Sequence, residues 1–312
     1  WKAKDDMPTI YPPTQTVNNI KSTNLKLNLN LAGGSYPGSG TDLIDLSAAG
    51  EDFSRGSGGN IKTGYGGYYI DLEGNDQYWT SDSSVATTTG NDITIEFWVR
   101  SESSSGQPSH TDIMDANHST AVSGSTGQGW AIQMRGSTQN SFYFVYYDGS
   151  GYQSNSDGEL FELTVDAWTH IAIVKSGTGI QVYENGVAGT SWTAGSATIE
   201  NPNQKIRLGQ YLNSDARGFL GSLAQVRLYS DALSSSEVTA NYNATKDLFT
   251  VATSVVSVNA NAGFSIVQFT TPASPGANTR VQHGLSAAPD FIIVKRTDGV
   301  EDWYVYHTSM GL

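Results

Sequence analysis

The chain reads as an all-β protein, a sandwich or barrel of short antiparallel strands with one short helix late in the sequence. Three observations predict this. The 312 residues include 34 glycines, 16 tyrosines and 7 tryptophans, while charged residues are only 15%, a composition of twisted strands and tight turns. Apolar residues alternate with polar ones at period two in several places. Turn signals such as Asn185-Gly186 separate these runs at short intervals.

Residues 1–24 have no hydrophobic periodicity and contain Pro8, Pro12 and Pro13. Adjacent prolines favour an extended chain, read as a linker, with an arm packed on a neighbouring subunit as the alternative. The pattern changes at Leu25. Leu25, Leu27, Leu29 and Leu31 alternate with Lys26, Asn28 and Asn30, as in a half-buried strand. Gly33-Gly34, Pro37-Gly38 and Gly40 then mark a loop. The clearest strand sets Ile93, Ile95, Phe97 and Val99 against Thr94, Glu96, Trp98 and Arg100. Further strands are expected at Trp130–Arg135, Ser141–Tyr147, Thr169–Lys175, Ile180–Glu184, Val187–Trp192, Lys205–Leu208 and Leu220–Tyr229. Asn and Gly both tolerate positive φ, so Asn185-Gly186 predicts a hairpin between two of these.

One helix is expected. Ser234-Ser235-Ser236-Glu237 has the form of a capping box, in which the serine hydroxyl takes a free N–H and the glutamate reaches back. Val238, Tyr242 and Leu248 would face the sandwich, and Asn241 and Asn243 would weaken the end. After Phe249 a separate unit follows, with strands at Phe264 and Ile266, Phe291–Lys295 and Trp303–Tyr306, broken by Pro272 and Pro275. The expected organisation is an arm at 1–24, a sandwich at 25–248 and a partial β module at 249–312. The start at Trp1 and the end at Leu312, just past a strand pattern, suggest a piece of a longer polypeptide.

The absence of cysteine fits assembly in a reducing compartment. A net charge of -13 disfavours nucleic acid and anionic membranes as partners. Apolar runs such as Phe291–Val294 are too short to span a bilayer as a helix.

Four passages resemble the laminin-G-like, concanavalin A-like jelly-roll superfamily over roughly residues 25–248. They are Tyr36–Thr41 followed by Asp45-Leu46-Ser47; Ile70–Tyr78; Trp168-Thr169-His170-Ile171-Ala172 with Val182–Gly186; and Phe219–Tyr229 with Ala232-Leu233-Ser234 and Glu237. The resemblance implies an antiparallel jelly roll. Residues 255–312 resemble a small β module of marine phage virion proteins through Gly263–Val267, His283-Gly284-Leu285, Ala288–Lys295 and Asp302–His307. That second resemblance implies a bacteriophage structural protein.

Some members of the superfamily are glycoside hydrolases with paired acids on alternate strand residues, pointing into one cleft. That sequence pattern is missing. Glu96 stands alone on its strand, Glu102 follows in a Ser-rich stretch, and Glu159 and Glu162 are three apart; all are read as solvated. No catalytic residue is named. The histidines His110, His118, His170, His283 and His307 show no zinc-protease spacing. His110 and His118 enclose Asp112 and Asp115, and the expected reading of that segment is a polar surface loop. His170 is expected in a strand as a hydrogen-bonded structural residue.

Calcium is the metal that the resemblance implies, held by hard oxygen donors. Asp112, Asp115 and Asn117 form one candidate set and Asn75 with Asp76 another, the latter equally explained by turn chemistry. Aromatic faces beside polar groups would suit sugar, which singles out Tyr65, Tyr68 and Tyr69 in a Gly-rich segment and Tyr143 and Tyr147 on one strand face. Packing or oligomer contact is the competing account of each.

The functional expectation is a non-enzymatic fibre or tail-associated virion protein that presents a lectin-like domain to host-surface glycans. A purely architectural virion protein and a divergent polysaccharide depolymerase are the alternatives. Implied partners are other copies of the chain, as a trimer by analogy with phage fibres, and other virion proteins. The implied location is the extracellular particle, with secretion or a bacterial cell surface as the alternative.

Overall fold

The computed structural model describes residues 20–310 apart from 32, 65–66, 88–90, 103–109, 120–126, 136–140, 155–161, 214–216, 250–252, 271–280, 282, 284, 286, 297–299 and 301. Tyr65, Glu159, Pro272, Pro275 and most of the expected arm (1–19) therefore lie outside the described residues. The chain divides into two compact units, with the boundary between Lys246 and Asp247.

The larger unit is an antiparallel jelly-roll sandwich, as the sequence predicts. Its strands are β1 (Leu25–Leu29), β2 (Phe53–Arg55), β3 (Asn60–Gly64), β4 (Gly67–Glu73), β5 (Trp79–Ser81), β6 (Ile93–Ser101), β7 (His110–Ser119), β8 (Gln128–Arg135), β9 (Ser141–Tyr147), β10 (Tyr152–Gln153), β11 (Thr169–Ser176), β12 (Gly179–Glu184), β13 (Val187–Thr193), β14 (Arg207–Leu208) and β15 (Leu220–Tyr229). One sheet runs β13-β12-β11-β6-β15-β4-β3, with β1 also on β15; the other runs β10-β9-β8-β7-β14-β5-β2.

Period-two alternation decides what lies between the sheets. Ile93, Ile95, Phe97 and Val99 of β6 join Ile171 and Ile173 of β11 and Phe142, Phe144 and Tyr146 of β9 in one buried core. Phe97 and Phe142 stack across it at 6.3 Å. Each such side chain contributes about 2 kcal/mol on burial. The Asn185-Gly186 hairpin forms with φ of 50° and 77°, and a Cβ on Gly186 would press on Tyr242.

Helix α1 (Ser235–Thr245) carries the expected capping box, with both the Ser234 and Glu237 arms present. It lies over the outer face of the eight-stranded sheet. Tyr242 stacks on Trp98 at 5.9 Å, and the Trp98 indole donates to Thr245 Oγ1 at 3.0 Å. This covering corrects the expectation for β6. Its polar side is not solvated, and Thr94, Glu96 and Trp98 are buried. Asn241, read from sequence as a weak point of the helix, is buried and donates to both Glu96 oxygens, at 3.2 and 3.1 Å.

The smaller unit contains two hairpins. β16 (Thr253–Asn259) pairs with β17 (Phe264–Thr270), and β18 (Phe291–Val294) pairs with β19 (Tyr304–His307). Gly263 turns the first hairpin at φ 65°. Phe264, Ile266, Phe291, Ile293 and Trp303 are exposed.

Candidate functional site

Strand β7 carries the chemistry, and its backbone is irregular. Asp112 opposes Gln133 of β8, but the pairing shifts between Asp112 and Met114 and again between Ala116 and Asn117. In an unbroken strand Asp112 and His118 would face one side and Asp115 the other. Each bulge inserts one residue and restores the face. Asp112, Asp115 and His118 thus share the outer face, while Ile113, Met114 and Ala116 enter the core. The second bulge depends on local sequence. Asn117 takes φ 52°, which Asn tolerates. On the facing strand Gly129 has φ 71°, and a Cβ there would collide with the Ala116 carbonyl oxygen.

The three side chains offer ligand atoms within 4.8 Å of one another. Asp112 and Asp115 are fully buried and His118 nearly so. His118 Nδ1 lies 2.7 Å from Asp115 Oδ2. Gln133 Nε2 donates to Asp112 Oδ1 at 2.6 Å and lies 3.3 Å from His118 Nε2. One assignment satisfies all of these: neutral His118 donates from Nδ1, and the Gln133 amide donates to both acceptors. Asp112 Oδ2 and Asp115 Oδ1 remain buried without a hydrogen bond. Arg217 Nη1 lies 3.8 Å from Asp112 Oδ2, on a side chain that is 36% exposed. Burial, then the Asp115 charge, pushes the Asp112 carboxyl up to about 6. Burial also raises Asp115.

Aromatic rings border this group. His118 stacks on Tyr147 at 6.3 Å and meets Tyr211 edge-on at 5.4 Å. Tyr147 meets Tyr152 at 5.3 Å, and the Arg217 guanidinium lies over Tyr211 at 4.9 Å. Tyr152 is exposed and Tyr143 and Tyr211 are half-buried.

The residues singled out from sequence are sorted by this geometry. Segment 110–118 is a central strand and not a polar loop, which corrects that expectation. Asp112 and Asp115 come together as grouped. Asn117 does not join them; its amide donates to Gln204 and its oxygen accepts from Asn213, both at 2.9 Å. His118 takes its place, and His110 stands at the strand start outside the trio. Asn75 Oδ1 accepts from the Gly218 N–H at 2.7 Å, and Asp76 sits in a turn at φ 65°. Tyr143 and Tyr147 share the outer face of β9. Tyr68 packs on the core, edge-on to Tyr36 at 4.8 Å, while Tyr69 meets Trp168 at 5.7 Å. Gln133, Tyr152, Tyr211 and Arg217 were not foreseen; only strand pairing and loop return bring them here.

A second polar group lies under α1. Arg227 Nη1 donates to Glu96 Oε1 at 2.9 Å and Nη2 to Gln225 Oε1 at 2.9 Å. Glu96 is therefore paired and buried, contrary to its solvated reading. His170 is in a strand as expected, but both ring nitrogens are buried without a hydrogen bond. Burial, then the Arg227 charge, lowers it to about 3.

Solved structures share this fold at low identity. The botulinum neurotoxin serotype D binding domain aligns at 15% identity with a TM-score of 0.52, covering 70% of this chain and 50% of that one. The serotype D domain in complex with N-acetylneuraminic acid aligns at 15% with a TM-score of 0.51, over 70% and 50%. A structure of botulinum neurotoxin type C, whose cell entry depends on interaction with two ganglioside molecules, aligns at 14% with a TM-score of 0.53, over 72% and 52%. The chain thus spans about half the length of these structures. No curated protein matches the chain. Residues 234–312 match a domain of unknown function (DUF7483). Residues 73–239, more than half of the sequence, match the family described as the concanavalin A-like lectin/glucanases superfamily, and with the jelly-roll sandwich in hand the chain belongs to it.

Proposed function

We propose that the sandwich is a non-catalytic glycan-binding module, carried on a fibre or tail-associated protein of a bacteriophage particle, where it attaches the particle to a host surface. The observation that carries the reading is the aromatic border on the outer face of the seven-stranded sheet. Tyr211 lies under the Arg217 guanidinium at 4.9 Å, and the exposed Tyr152 meets Tyr147 at 5.3 Å on the same face, a pairing of rings with polar groups that suits sugar stacking and hydrogen bonding. Two similar structures are of proteins that engage gangliosides or N-acetylneuraminic acid. Catalysis is the less favoured use of Asp112 and Asp115. A general acid must touch the glycosidic oxygen, and both carboxyls are fully buried. The net charge of -13 favours neutral over polyanionic glycans. The phage assignment rests on the sequence resemblance of residues 255–312, and the trimer on analogy with phage fibres.

A glycan array probed with the 312-residue chain tests the binding. We expect retention on a restricted set of glycans, weakened about tenfold by Tyr152→Ala or Tyr211→Ala. Binding to no glycan would favour the architectural role, and release of reducing sugar from a bound polysaccharide would establish the depolymerase. Light scattering of the same protein would give three chains per particle if the trimer is right.

A further inference from the structure

The Asp112–Asp115–His118 group sets two carboxyls beside one imidazole, closed off from solvent. Two carboxylates are fully buried, His118 Nδ1 lies 2.7 Å from Asp115 Oδ2, and among the described residues the arginine paired with the group is a partly exposed guanidinium 3.8 Å from one Asp112 oxygen. Buried carboxylates are normally paired or bound to a cation. One oxygen of each lacks a hydrogen bond, and both belong to a trio whose ligand atoms converge within 4.8 Å. These are the atoms that a positive ion would take.

We propose that Asp112, Asp115 and His118 hold a divalent first-row transition ion, of the class of Zn²⁺ or Mn²⁺, inside the seven-stranded sheet's outer face. The donor set selects the class. Calcium and magnesium take oxygen ligands, whereas an imidazole beside two carboxylates suits zinc, manganese, cobalt or nickel. Gln133 is the positioning residue: its amide holds Asp112 and approaches His118, and rotating that amide by 180° would present an oxygen instead. Burial makes the ion structural. It would pin the bulged run of β7 and fix the ring of His118 between Tyr147 and Tyr211. The inference does not depend on the glycan reading, since metal uptake is measured without sugar.

The test uses the whole chain, stripped with EDTA and titrated with Zn²⁺, Mn²⁺, Co²⁺ and Ca²⁺, with bound metal counted by mass spectrometry. One equivalent of a transition ion per chain is expected, undisturbed by a tenfold excess of Ca²⁺. Asp115→Asn should keep the fold by circular dichroism and weaken uptake roughly a hundredfold, and Gln133→Leu roughly tenfold. His118→Ala should abolish the visible absorption of bound Co²⁺, while His307→Ala, on the exposed hairpin of the smaller unit, leaves it intact. Failure of the folded wild-type protein to take up a stoichiometric ion would overturn the proposal. So would equal binding of Ca²⁺, or uptake unchanged in Asp115→Asn.

Discussion

The two sheets of the sandwich each bury a polar group on the outer face, and the two groups are built on opposite principles. Under α1, Glu96 meets Arg227 at 2.9 Å and accepts twice from Asn241, so the charge is closed within the protein. On the other sheet, Asp112 and Asp115 have an imidazole and an amide between them, and one oxygen of each is left over. A closed group sets the register of helix on sheet and has no charge left over for an ion. An open one carries a standing cost, which an added ion can remove. Burial alone therefore does not separate structural from functional polar clusters; the charge balance does.

Breaking the closed group should have the largest effect. Arg227→Leu leaves Glu96 charged and without its guanidinium, at a cost of about 3–5 kcal/mol in urea unfolding. Adding Glu96→Leu should recover most of that loss. On the open face the sign reverses. In metal-stripped protein at pH 7, Asp112→Asn should raise stability by about 3 kcal/mol, the cost of holding a carboxyl near 6 ionised. A destabilised Asp112→Asn would show that the two groups are of one kind.

Acid sharpens the same contrast. Asp112 is raised in the folded protein, so its favourable contribution is complete below pH 4 and lost as pH rises through about 6. His170 is depressed to about 3, so its contribution is present above pH 6.5 and declines as pH falls toward 3. Between pH 4 and 6 the two faces should pull in opposite directions. Thermal unfolding of metal-stripped Asp112→Asn should then show a steeper acid loss than wild type, and His170→Phe a shallower one. The smallest expected effect concerns the helix that closes the first group. Ser234→Ala removes one arm of the capping box and should cost about 1 kcal/mol by urea unfolding, with metal uptake unchanged.

The regular parts of the sandwich were legible because period two and Asn-Gly turns are local signals. Leu25–Leu31, Ile93–Arg100 and the Ser234 cap were read from neighbours in sequence alone. The outer faces were not. Glu96 looks solvated until α1, more than a hundred residues later, comes back over it. Asp112-x-x-Asp115-x-x-His118 has a spacing that fits neither a regular strand nor a metal motif, so the segment looked like a loop. Asn117 was grouped with the acids by adjacency, whereas its own positive φ turns it away and brings His118 in.

The bulges of β7 also determine which kind of genetic change can move this chemistry. The step from Asp112 to Asp115 is odd, so only the bulge keeps both side chains outward. Losing the single extra residue there, or gaining one, would make the step even and leave both carboxylates outward on a plain pleat. Straightening the strand at unchanged length would instead send Asp115 and His118 inward, among Trp130 and Phe144. Homologous chains one residue shorter between Asp112 and Asp115 should thus keep the anionic outer face and lack the bulge.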